Sequence, residues 1–439
     1  MNLELVKQWN STEPSSLQKI IVNNSITDIG KNKTKIDNNP LLFNNEINKK
    51  VSITDQKSSG RCWLFATCNL IRQLMMDKVQ EFNDIDFELS QSYLFFYDKL
   101  ERYHRLLKYS LQIEENETDK NKKERYWYNL LKDPLSDGGQ WNMAKEIVKK
   151  YGIVPKSVYN DSFHAKSTSG LNAILTTQLV NDIETLKEDN SLIDEMMHRV
   201  YNILVSFLGK PPNKFTYEFK HKDNHYRLDS TPLEFLKKIN INYQPYELNI
   251  DLDEFVNCVN DPRNEYHKYY EIKYLGNVYD KHVGWFNITT DEMMQMMKEM
   301  IDVDCPIWFG CNVSAERISS EGIADIGIID YSLFGLQNRL CKRKKLTNFL
   351  SVPNHAMLIS GYHIDILSNE ILRWKVENSW GKSSGKDGYL IMTNDWMKEY
   401  TFQILVKKDI FNKIVNVNET ELMQDIKVVE PWDPLGTLA

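Results

Sequence analysis

A polar, turn-rich loop, Asp55-Gln56-Lys57-Ser58-Ser59-Gly60, runs abruptly into Cys62-Trp63-Leu64-Phe65-Ala66. That junction constrains the fold more than any other stretch of the chain. Leu64, Cys68, Ile71 and Met75 recur at helical spacing, the stripe of a helix that faces a core. Cys62 therefore stands where a loop enters a largely buried helix. A helix N-terminus carries roughly half a positive charge, which favours a thiolate, and the thiolate is the nucleophilic form of cysteine. Alone, the position is ambiguous, because most cysteines are small buried apolar residues. That plainer reading is the expectation for Cys68, Cys258, Cys305, Cys311 and Cys341.

The rest of the pattern places helices first and strands later. Residues 89–109 and 141–151 read as helices, whereas Glu114 to Arg125 is charged and expected to be exposed. Residues 1–50 show no sustained period and read as an irregular lead-in. Residues 160–280 form a different block, with a periodic run from Ile183 to Phe207 broken at Gly209-Lys210-Pro211-Pro212. Thr289 to Glu292 fits a capping box, followed by Met293, Met297 and Met300 on one helical face. Pro306–Val313, His355–Gly361, Leu372–Asn378 and Gly388–Met392 read as strands. The order predicts an α+β fold.

Composition excludes several classes. A net charge of -7, from 54 Lys+Arg against 61 Asp+Glu, offers no global attraction for nucleic acid or acidic membranes. No segment approaches the ~18–20 apolar residues of a membrane-spanning helix. Six cysteines with no Cys-x-x-Cys pair give no disulfide scaffold and no metal motif. The N-terminus, MNLELVKQWNSTEPSS, has neither a basic start nor an apolar core, so the expected location is the cytoplasm, with reduced thiols.

Around Cys62 the motifs accumulate. Gln56 precedes Ser59-Gly-Arg-Cys-Trp-Leu-Phe65, and Leu89-Ser-Gln-Ser-Tyr-Leu-Phe-Phe96 and Asp137-Gly-Gly-Gln-Trp141 follow. Trp308-Phe-Gly-Cys311, Asn354-His355-Ala356-Met357, Glu377-Asn378-Ser379-Trp380-Gly381 and Pro431-Trp-Asp-Pro434 come later. With these motifs, from about Gln56 to Ala439, the sequence resembles the bleomycin hydrolase (aminopeptidase C) branch of the papain-like cysteine peptidases.

The resemblance implies a two-lobed papain-like fold, with a helical lobe, a β-barrel-like lobe, a large helical insertion and a C-terminal arm. The chain then divides into a lead-in at 1–50, a helical lobe at 51–160 and an inserted helical, oligomerisation subdomain at 161–280. A β-rich lobe at 281–425 and an arm at 426–439 complete it. From Cys62 to His355 the interval exceeds papain's ~130–150 residues by roughly 150, and the insertion supplies most of the excess.

The resemblance also assigns roles. Cys62 matches the nucleophile, His355 its imidazole partner, and Asn378 the amide that orients the imidazole. Gln56 matches the oxyanion-hole donor, and Trp380 the indole that shields the His–Asn contact. Gly138 and Gly139 match the pair along which substrate lies, where glycine permits close approach. Ala439 matches the terminal carboxylate that pairs with a substrate's α-ammonium. The implied activity is a broad cysteine aminopeptidase acting on peptides, and on amides such as that of bleomycin, without cofactor or metal, as a homohexamer. An endopeptidase on the same fold stays open. So does a nucleic-acid-binding protein, through Lys342-Arg343-Lys344-Lys345, a run otherwise read as a solvated loop.

Overall fold

The computed structural model describes residues 1–439 except Lys50, Asp84, Tyr243, 417–424, Leu438 and Ala439. Helix α1 (Cys62–Lys78) forms where the apolar stripe required it, and its first half is sealed on every side. A helix this buried is a central strut rather than a surface element. Helix α2 (Gln91–Asn116) starts at Ser90, whose hydroxyl accepts from Tyr93 N–H, and runs on beyond residue 109. Helix α3 (Lys120–Leu131) occupies part of the charged stretch expected to be merely exposed, and buries Tyr126 and Leu130. Helix α4 (Trp141–Tyr151) has the expected bounds.

Helices α5 (Ser169–Leu186) and α6 (Ile193–Leu208) lie in the block predicted to be inserted. The block expected at 161–280 as an inserted helical subdomain also holds strands. Two hairpins follow α6, Phe215–His221 with Asn224–Ser230 and Lys238–Ile241 with Gln244–Glu247. Residues 255–259 and 269–272 then join the main sheet. Both pair with 283–287 nearby, but 255–259 also pairs with 401–407 and 269–272 with 426–429, far along the chain, so no local pattern marks their place in the sheet.

That sheet has twelve strands among the described residues. They are β1 (Asn45–Glu46), β2 (Phe255–Val259), β3 (Tyr269–Ile272), β4 (Val283–Asn287), β5 (Ile307–Cys311) and β6 (Arg317–Ile318). Then come β7 (Ile323–Ala324), β8 (His355–Ile364), β9 (Ile371–Glu377), β10 (Tyr389–Thr393), β11 (Thr401–Lys407) and β12 (Ile426–Val429). The order is β6-β7-β10-β9-β8-β5-β11-β2-β4-β3-β12, with β1 on the far end of β8. Most pairs are antiparallel; β7–β10, β2–β4 and β3–β12 are parallel. Helix α1 packs against β8, and one continuous apolar core joins helices to sheet.

Helix α7 (Thr290–Asp302) carries the expected capping box, and Met293, Met297 and Met300 are core. The lead-in is not irregular: four short helices lie between Leu3 and Asp37, too short to show an apolar period. The basic run is not a loop but helix α8 (Lys342–Thr347). Lys342 is buried, and its ammonium donates to Asn260 Oδ1 at 2.7 Å and to the carbonyls of Lys398 and Thr401. Burial pushes it down to about 7. Lys345 pairs with Glu399 at 2.9 Å. Cys341, expected inside, is exposed at the start of this helix. The other five cysteines are buried.

Candidate active site

Cys62 is the first residue of α1, 2% exposed, and its neighbour Arg61 anchors the loop-to-helix turn. The Arg61 guanidinium is buried, donates to Ser59 Oγ and Ser92 Oγ, and pairs with Asp161 at 3.1 Å. Burial pushes the Cys62 thiol up to about 11, against the backbone N–H groups of Ala356, Trp63 and Cys62 that point at it. Ala356 follows His355 on β8, so the packing of α1 on the sheet brings the thiol to the histidine strand.

His355 Nε2–H donates to Asn378 Oδ1 at 2.9 Å. That oxygen also accepts from Ser379 N–H at 2.8 Å, so two donors converge on it and fix the amide's orientation. Nε2 being engaged, Nδ1 is the nitrogen that faces the thiol chemistry. The Trp380 ring stacks on the imidazole at 4.6 Å between centroids and 28° between planes. Burial pushes His355 down to about 4, offset in part by the Asn378 bond. Neither group ionises alone in so dry a cleft. Passing the thiol proton to the imidazole would create opposite charges whose attraction offsets the cost of burying each alone.

Gln56 hydrogen-bonds on both sides of its amide: Nε2 donates to the Ser59 carbonyl at 2.6 Å, and Oε1 accepts from Ser379 Oγ at 2.7 Å. One N–H of that amide has no partner among the described residues. Ser379 is a member the sequence analysis did not single out, although it lies inside the quoted motif. It holds the Gln56 loop, through side chain and backbone, and the Asn378 oxygen at once.

Gly138 and Gly139 follow Asp137, which accepts from the Gly60 N–H two residues before Cys62. Gly138 lines a cavity of about 890 Å³ and its carbonyl accepts from Arg102 at 2.8 Å. The loop before them hangs on Asp137, whose carboxylate takes Lys99, Asn172, Thr168 and the Gly60 N–H. Lys99 and these hydrogen bonds hold it well below the usual carboxylate range despite its burial.

The arm is docked rather than frayed. Gln140, directly after the glycine pair, donates through Nε2 to the carbonyls of Leu435 and Thr437 at 2.9 and 3.0 Å. Thr437 Oγ1 donates to the carbonyl of Pro353, two residues before His355, at 3.0 Å. Arg263 holds Asp433, and Arg125 stacks on Trp432. The segment thus spans from the glycine loop to the histidine strand. Ala439 lies outside the described residues. Gln140 was legible only as part of a motif; its task as the arm's anchor needed the fold. Among the described residues no group of three His, Cys, Asp or Glu is placed to hold a metal ion, and no helix is long and apolar enough to cross a membrane.

The model of the Peptidase C1-like family matches residues 3–436. The chain belongs to that family. Aminopeptidase C of Lactococcus lactis subsp. cremoris is 36% identical over 405 residues, covering 89% of this chain and 87% of the relative. Cysteine proteinase 1, mitochondrial, of Saccharomyces cerevisiae is 34% identical over 464 residues, covering 100% and 93%. The crystal structure of PepW from Lactobacillus rhamnosis superposes with a TM-score of 0.89 at 30% identity, covering 100% of this chain and 98% of that one. The architecture is accordingly the papain-like α+β fold, and this family member is a cysteine peptidase.

Proposed function

We infer that the chain is a cysteine aminopeptidase that removes residues from free amino ends of peptides through an acyl-enzyme on Cys62. The observation that carries this reading is the arm, laid from Gln140 to Pro353 across the cleft beside Gly138 and His355. A cleft occupied there has room for little on the amino side of the scissile bond. The endopeptidase alternative needs that room. The nucleic-acid alternative loses Lys342 and Lys345, which are committed inside the fold.

The chemistry follows from the geometry. The Cys62 proton passes to His355 Nδ1 as Sγ attacks the substrate carbonyl carbon. The carbonyl electron pair moves onto oxygen, which the Cys62 backbone N–H and the free Gln56 N–H receive. His355 then gives its proton to the leaving nitrogen, the C–N bond breaks, and the thioester remains. Water adds with His355 taking its proton, the C–S bond breaks, and the thiol re-forms. Asn378 keeps Nδ1 aimed at the thiol throughout, and the Trp380 ring keeps water off that contact.

The test uses a panel of aminoacyl coumarylamides, free and N-acetylated, with and without iodoacetamide. Free amides are cleaved and N-acetylated ones are not. Cys62→Ala lowers kcat at least ~10³-fold. Retained activity in Cys62→Ala would remove the mechanism, and efficient cleavage of N-acetylated substrates would turn the reading to an endopeptidase. The cytoplasmic location belongs to this proposal, as does the homohexamer that the family resemblance implies. A solution mass other than that of six chains overturns the latter.

A further inference from the structure

Arg317 is the first residue of the edge strand β6, half-buried, with its guanidinium carbon 4.8 Å from the centroid of the Trp380 ring. Trp380 is itself stacked on His355. The guanidinium makes no hydrogen bond or ion pair among the described residues. Nearby carboxylates are already taken. Glu316, its neighbour in sequence, is gripped by Arg339 at 3.0 and 2.7 Å and by Tyr400 Oη at 2.8 Å. Asp55, bridged through its backbone to Trp380, holds Lys57. Asp325 holds Lys35 at 3.1 Å. Burial lowers the Arg317 pKa, as for a cation losing water without gaining a counter-ion.

Its place in the site decides what it faces. The imidazole that protonates the leaving nitrogen must lie within hydrogen-bond reach of it. The leaving segment therefore departs along the His355–Trp380 side. In a dipeptide, the leaving nitrogen and its α-carboxylate are separated by a single carbon. A cation over the indole that is stacked on the imidazole lies on that same side of the site. A guanidinium fork matches a carboxylate in bidentate geometry.

We propose that Arg317 binds a carboxylate on the first residue of the leaving group. The carboxylate is the α-carboxylate of a dipeptide, or the side chain of Asp or Glu in second position. This rests on the aminopeptidase reading above. It adds a specificity device on the leaving side of the bond, opposite the arm.

Four substrates test it, sharing the N-terminal residue best cleaved in the coumarylamide panel: a dipeptide, its C-terminal amide, and tripeptide amides with Glu or Gln second. In wild type, kcat/KM is higher for the dipeptide than for its amide, and higher for Glu than for Gln. Arg317→Gln lowers both ratios at least about tenfold, chiefly through KM, and Arg317→Lys restores part of each. Raising the salt concentration lowers both ratios in wild type, a readout that does not depend on any variant folding. Ratios unchanged by substitution and by salt overturn the proposal. So does an equal fall on charged and neutral substrates, which would place Arg317 behind His355 rather than on substrate. A fall confined to the dipeptide pair assigns the α-carboxylate; one confined to the Glu/Gln pair assigns the side chain. Calorimetric binding of the dipeptide and its amide to Cys62→Ala separates this from the aminopeptidase reading. A Kd favouring the dipeptide supports the carboxylate contact even if the coumarylamides are not turned over; equal Kd values overturn it.

Discussion

A Cβ placed on Gly139 would lie 2.4 Å from the Trp63 indole, whose Nε1–H donates to the Asp137 carbonyl at 2.7 Å. The sequence motif marks this glycine, and substrate approach was the expected reason for it. The structure supplies a second demand from behind, because the indole sits where a methyl group would go. Gly139→Ala must therefore displace Trp63, one residue beyond Cys62. Overpacking of this kind costs about 1–3 kcal/mol. The variant is expected to unfold at lower urea concentration and to lose kcat; unchanged stability and kcat would mean that the loop moves aside freely. Short motifs make Cys62, His355 and Asn378 stand out in the sequence, and the fold joins His355 to Asn378. The contacts of Gln140 with the arm and of Arg317 with the Trp380 ring are visible only in the fold.

The start of α1 shows how elements depend on one another. Asp161, from the segment after α4, pairs with Arg61 before α1 and with Lys156 at 3.1 Å each, and accepts from Ser92 of α2. Burial raises its pKa, but Arg61 and Lys156 outweigh burial and hold it at about 2, below the 3.8 of a free aspartate. The stability this lends is fully present above about pH 4 and is lost as pH falls through 4 towards 2, amounting to about 2 kcal/mol. Asp161→Asn is expected to flatten that part of the pH–stability curve measured by urea unfolding. An unaltered slope between pH 4 and 2 would show that the pairing contributes nothing. At this scale the legible elements were those with a sustained period, such as α1, α4 and α7. Helix α3 opens on Lys120-Asn-Lys-Lys-Glu and conceals its buried Tyr126 and Leu130 behind charge. The helices of the lead-in are each too short to repeat an apolar stripe.

For the whole molecule, the sheet and the arm decide the architecture. Strand β2 pairs with β11 across a long interval of sequence, and β12 lies parallel to β3 at the sheet edge. Such pairings are fixed by the assembled core, which is why the sequence boundary at 280 cut through strands that belong together. The arm that follows β12 then ties the glycine loop to the histidine strand. Deleting 431–439 is expected to raise cleavage of N-acetylated peptides at least about tenfold while weakening release of free N-terminal residues. Gln140→Ala should shift specificity the same way by less. If the truncated protein still refuses N-acetylated substrates, the arm does not set specificity.

Ser379 has a consequence for how such a cleft tolerates error. It is a peg shared by the Gln56 amide and the Asn378 oxygen. The Gln56 and Asn378 amides therefore share one reference point, although they come from distant parts of the chain. A displacement at that peg moves both together, so their relative alignment survives small distortions that would separate two independently mounted groups. The price is a common mode of failure: a change that loosens the peg shifts both amides in the same stroke.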